Sequence, residues 1–119
     1  MAKLTIPDHP TLADLHEALG PREAVKVGNN TYAVRFADGV AVTLHGHTIA
    51  LFYIDGRIVV DQAGWPTVTT RERIKHLLPE GFRIHSKLGQ AFITYPDGYV
   101  DELPAHGRFV VLYQNRIGR

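Results

Sequence analysis

His45 and His47 stand two apart, and further along Thr67, Thr69, Thr70, Arg71 and Arg73 crowd behind the single tryptophan, Trp65. These residue types suit phosphate chemistry. An imidazole takes or gives a proton near neutral pH, so a pair can serve as base and acid in a phosphodiester cleavage that needs no metal. Guanidinium groups and hydroxyls hold the charge on the phosphoryl oxygens. His45 and His47 are therefore the candidate catalytic residues, and Trp65, Thr67, Thr69, Thr70, Arg71 and Arg73 the candidate ligand-binding ones. The plain alternative gives them structural work: a helix cap, two solvated arginines, a core tryptophan and two half-exposed histidines. A metal site asks for more, because His-x-His offers two ligands and Asp61, Asp101, Glu102, His85 or His106 would have to supply the others. The pattern assigns no metal and no cofactor.

The candidates need a helix start and a hairpin to hold them. Thr69 and Glu72 have the spacing of a capping box, which predicts a helix beginning near Thr70. Ile74, Leu77 and Leu78 give it one apolar face, and Pro79 with Gly81 ends it. The first turn of such a helix carries unpaired N–H groups and positive dipole charge, both favourable to a phosphate. Upstream, a three-residue loop Ala37-Asp38-Gly39 with a left-handed Gly39 sets Phe36 opposite Val40, Val34 opposite Val42 and Tyr32 opposite Leu44. That register turns six apolar residues inward. It leaves Thr31, Thr43 and His45 on a polar face, joined by His47 if the strand runs through Gly46, so that the two imidazoles lie side by side. A two-residue loop pairs apolar with polar positions and is set aside.

The remaining elements follow from local signals. Thr11 caps a helix over residues 11–19 that Gly20-Pro21 closes, and residues 24–27 form a short strand. Ile49 to Ile54 is apolar on both faces and reads as a central strand, with further strands at 57–61, 82–87, 90–95 and 108–113. The expected fold is α+β: a curled, mostly antiparallel sheet of about six to eight strands with the short 70–78 helix packed on it and an N-terminal helix. It forms one domain, with a helical lead-in at 1–22, a sheet-rich core at 23–113 and a basic tail at 114–119.

Composition narrows the partners. The chain has 119 residues, no cysteine, seven histidines and a net charge of +1. Without cysteine there is no disulfide framework, thiolate metal site or thiol nucleophile. A charge this close to zero does not grip a long nucleic acid, whereas a small anion needs only a local patch. No long apolar run predicts a membrane span, and the expected location is the cytoplasm. There is no Gly-rich phosphate loop ahead of a helix, and the only serine, Ser86, sits in no nucleophile elbow. Sheet edges make a homo-oligomer an expectation too.

Asn30-Thr31-Tyr32, Leu44-His45, and Gly64-Trp65-Pro66-Thr67-Val68-Thr69-Thr70-Arg71-Glu72-Arg73-Ile74 followed by Leu78-Pro79 resemble a family of small phage proteins. Its pattern reads Asn-Thr-Tyr, then Leu-His-x-Thr, then Gly-Trp-x-Thr-x-Thr-Thr-x-x-Arg-Ile-Asn. The similarity covers roughly residues 28–86. His47 stands where the pattern has Thr, and Lys75 where it has Asn, which makes His45 the firmer functional candidate. The resemblance implies a phage or prophage source. Small accessory phage proteins often counter host defences, and some bind or cleave cyclic nucleotide signals. By that analogy of setting, the expected function is recognition of a small phosphorylated, cyclic nucleotide, with metal-independent phosphodiesterase activity as its enzymatic form. Two other readings stand beside it: a non-catalytic protein that sequesters the nucleotide, and a protein-binding inhibitor module.

Overall fold

A computed structural model of the chain describes residues 4–64 and 67–112. Helix α1 (Leu12–Leu19) leads into strands β1 (Ala24–Gly28), β2 (Thr31–Phe36), β3 (Gly39–Leu44), β4 (His47–Tyr53) and β5 (Ile58–Val60). Helix α2 (Val68–Leu77) follows, then β6 (Arg83–Lys87), β7 (Gln90–Thr94), β8 (Val100–Leu103) and β9 (Phe109–Leu112). The fold is α+β with antiparallel strands, as the periodicity predicts. Instead of one curled sheet, however, the described strands divide into a six-stranded sheet, β1-β2-β3-β4-β5-β9, and a three-stranded sheet, β6-β7-β8. β9 returns to pair with β5, so the small sheet is an excursion between two neighbours of the large one.

Helix α1 forms as its local signals dictate. Thr11 accepts from the Asp14 backbone N–H while the Asp14 carboxylate accepts from the Thr11 N–H, which completes a capping box. Leu15 and Leu19 then bury fully against the large sheet. In α2, Ile74 and Leu77 are fully buried, as is Leu78 beyond its end, each contributing ~1.5–3 kcal/mol of apolar burial. Both helices, the inner face of the large sheet and Phe82, Ala91, Ile93, Tyr95 and Leu103 of the small-sheet region close around one core.

The β2–β3 hairpin corrects the expected register. The rejected two-residue loop, Ala37-Asp38, is the one that forms: Phe36 pairs with Gly39, Arg35 with Val40, Ala33 with Val42 and Thr31 with Leu44. Three physical reasons account for it. The outer face is itself apolar, because Ala41, Leu51 and Val59 cluster there with Phe36 and Tyr53, so an apolar–polar rule cannot choose the face. The polar residues turned inward are satisfied: the Thr31 hydroxyl donates to the Asn29 carbonyl at 2.7 Å, and Arg35 Nη2 donates to the Gly20 carbonyl at 2.7 Å, next to the end of α1. Finally, Gly39 serves close approach, since a Cβ there would overlap the Phe52 carbonyl oxygen.

The β3–β4 connection corrects a second expectation. The strand does not continue through Gly46. His45 and Gly46 form a two-residue turn with φ of 54° and 80°, the sign pattern of a type I′ hairpin turn, and Leu44 pairs with His47 across it. A bulge follows, where Val42 faces Ala50 but Thr43 faces Thr48. The extra residue, Ile49, is buried in the core with Ala50. Among the described residues, no helix is long and apolar enough to cross a membrane.

Candidate functional site

The end of the β3–β4 hairpin and the start of α2 enclose a cleft of about 210 Å³. Leu44 and Ile49 provide apolar wall, His45 and His47 come from the hairpin turn, and Thr67, Thr69 and Thr70 come from the helix start. Gln62 and Ala63, on the connection from β5 to α2, complete the lining. The two histidines thus meet in one cleft, although they do so around a turn and not along a strand face.

The helix start differs from the expected one by a few residues. Thr67, not Thr69, is the cap: its Oγ1 accepts from the Thr70 backbone N–H at 3.2 Å, and the helix begins at Val68. With threonine at 67, 69 and 70, any of the three could cap, and the extended backbone of Thr67 (φ −95°, ψ 166°) decides which one does. The Thr67 and Thr70 hydroxyls lie 3.1 Å apart. No acidic side chain occupies the first turn of α2, whereas Asp14 does so in α1, so the positive end of the α2 dipole is not neutralised by its own sequence.

Arg71 and Arg73 do not line the cleft. Arg73 is 5% exposed and reaches from α2 to the β1–β2 turn, where its Nη2 lies 3.5 Å from the Asn29 carbonyl. The neighbouring Asn30 carbonyl accepts from the His45 backbone N–H at 2.8 Å. Arg73 therefore helps brace the turn against which the histidine hairpin rests, a positioning role that the bare presence of an arginine near a helix start does not reveal. Trp65 lies outside the described residues, as does the basic tail at 114–119.

Gln62 is the functional candidate that sequence reading misses. It is 1% exposed, and its Nε2 donates to the carbonyls of Pro104 at 3.0 Å and Leu103 at 3.4 Å, tying the connection to the end of β8. Its Oε1 is buried with no donor among the described residues. The amide cannot simply be turned over, since Oε1 would then face two carbonyl oxygens. No local pattern marks such a glutamine; only burial does. The loop around it is firmly held: Asp61 Oδ1 accepts from the Ala63 N–H at 2.6 Å, the Gly64 N–H donates to the Ala105 carbonyl at 2.8 Å, and the His106 ring lies so near Gly64 that a Cβ there would come within 2.9 Å of it.

The other histidine-rich region sits at the opposite end of α2. His76 Nδ1 is 3.1 Å from an Asp8 carboxylate oxygen and its Nε2 is 3.0 Å from the Pro7 carbonyl, while His9 Nδ1 is 2.7 Å from the Leu78 carbonyl. These side chains fasten the N-terminal segment to the helix. Among the described residues, no group of three or more His, Asp or Glu is gathered as a metal-binding cluster.

The family model of the Kyanoviridae Gp96 protein matches residues 13–117. The chain belongs to the Kyanoviridae Gp96 protein family. That membership makes it a phage-type protein, and the match runs from within α1 through the small sheet and β9. No curated protein and no solved structure matches the chain.

Proposed function

We propose that this Gp96-family protein recognises a small phosphorylated nucleotide, of the cyclic signalling kind, in the cleft between the β3–β4 turn and the start of α2. The observation that carries the reading is the convergence there of two imidazoles and three threonine hydroxyls on a helix N-terminus whose own first turn holds no acidic residue. A phosphate at this point accepts from backbone N–H groups and hydroxyls. Membership of a phage family supports a setting in the cytoplasm of an infected host, where removing a nucleotide signal would counter host defence.

Two histidines on one cleft favour a cleaving enzyme over a passive binder. One imidazole takes a proton from the attacking water as its oxygen bonds to phosphorus; the other gives a proton to the ring oxygen as the old P–O bond breaks, leaving a phosphomonoester. The test is incubation of purified protein with cyclic mono- and dinucleotides in EDTA, with products separated by chromatography and retained ligand recovered after denaturation. Product that vanishes in His45→Asn establishes cleavage. Asparagine is the right replacement, because it tolerates the positive φ that position 45 requires. Ligand recovered intact would make the protein a sequestering binder, and no product and no retained ligand would overturn the nucleotide reading.

A further inference from the structure

Resting on that reading of the cleft, we propose that Gln62 selects the ligand by its base: Oε1 accepts a hydrogen bond from a base N–H or amino group, while the phosphate stays at the mouth. The unsatisfied oxygen is the starting point. Buried polar atoms almost always have partners, and one left alone carries a desolvation penalty that a donor entering the cleft would relieve. Gln62 lines the cleft, and both carbonyls at its Nε2 fix the amide so that its acceptor is the open valence.

Size sets what can approach it. At about 210 Å³ the cleft lies below the ~300–1,000 Å³ of sites that engulf an entire ligand. That volume suits one flat heterocycle better than a whole nucleotide, so the base goes inside and the sugar and phosphate stay outside. The phosphate is thereby left beside the hydroxyl-bearing helix start and the histidine turn. A phosphate buried against Gln62 would be a poor fit, since its oxygens are acceptors facing another acceptor. The inferred ligand class is therefore a nucleotide whose base offers a hydrogen-bond donor, held base-inward.

The experiment is isothermal titration of the full chain, in EDTA, with the four common cyclic mononucleotides and the cyclic purine and pyrimidine dinucleotides, their counterparts with every base N–H methylated, and abasic ribose phosphate. At least one parent nucleotide is expected to bind, its methylated counterpart roughly 10- to 100-fold more weakly, because the buried acceptor stays unpaired. Gln62→Met is expected to lower affinity for the parent to about that of the methylated compound and to leave the latter unchanged. If that variant does not fold, the ligand series on the unaltered protein still decides. Parent and methylated ligands of equal affinity would overturn the base-reading role while leaving nucleotide binding intact. Failure of every compound to bind would overturn both.

Discussion

Each end of helix α2 has two histidines beside it, and the two pairs do opposite things. At the C-terminal end His76 and His9 spend their ring nitrogens on Asp8 and on the carbonyls of Pro7 and Leu78, binding the first residues of the chain to the helix. At the N-terminal end His45 and His47 line a cleft with threonine hydroxyls and a buried glutamine whose acceptor is unsatisfied. The carbonyl-rich helix end draws donors and becomes a fastening; the N–H-rich end accommodates anions and becomes a candidate site. Histidine count raises the chance of chemistry, but the helix end beside which an imidazole lies gives that count its meaning.

Losing the helix's seat should destroy both ends together. Ile74→Ala removes a fully buried side chain and is expected to cost about 2–5 kcal/mol in urea unfolding, with nucleotide binding lost alongside stability. Thr67→Ala separates the ends: losing the cap costs about 1 kcal/mol and weakens nucleotide binding, while the His76–Asp8 contact persists. A variant that lost the cap and bound nucleotide as before would break the contrast.

Replacing one histidine at each end sharpens it further. His76→Ala should destabilise by about 1 kcal/mol through lost hydrogen bonds, with turnover unchanged; His45→Asn should alter stability by less than ~0.5 kcal/mol and abolish turnover. Chemical denaturation and the chromatographic assay, run on the same two variants, read both effects.

The smallest expected effect lies away from both ends, in the β4–β5 turn. The Arg57 backbone N–H, assisted by its guanidinium, holds the Asp55 carboxyl below its ordinary value of 3.8. A pKa depressed by folding contributes stability that is complete above the unfolded value and fades as pH falls through the folded one. Asp55→Asn should therefore lower the melting temperature slightly at neutral pH and flatten the acid limb, the two proteins converging as pH falls below 3.8; the effect is small because the carboxylate is exposed.

Helix α1 was legible because its signals are local: Thr11, Asp14 and Gly20 lie within a few residues of what they control. The hairpin register was not, because the rule used to choose it assumes a polar outer face, and Ala41, Leu51, Val59, Phe36 and Tyr53 make that face apolar. Thr67, Thr69 and Thr70 were legible as a group, but not which of them caps. The turn at His45-Gly46 was hidden because no Asn-Gly or Asp-Gly pair marks it; His45, with φ of 54°, stands where asparagine or aspartate usually does. Gln62 had no sequence signature at all: its burial depends on β8 arriving from 41 residues away.

The most direct measurement is an NMR titration of the isotopically labelled chain with cyclic mono- and dinucleotides, following the seven histidine rings and the α2 amides. The account predicts saturable shifts of the His45 and His47 rings and of the Thr69 and Thr70 amides, with His9 and His76 unmoved. Shifts confined to His9 and His76, or no saturable shift anywhere, would contradict it.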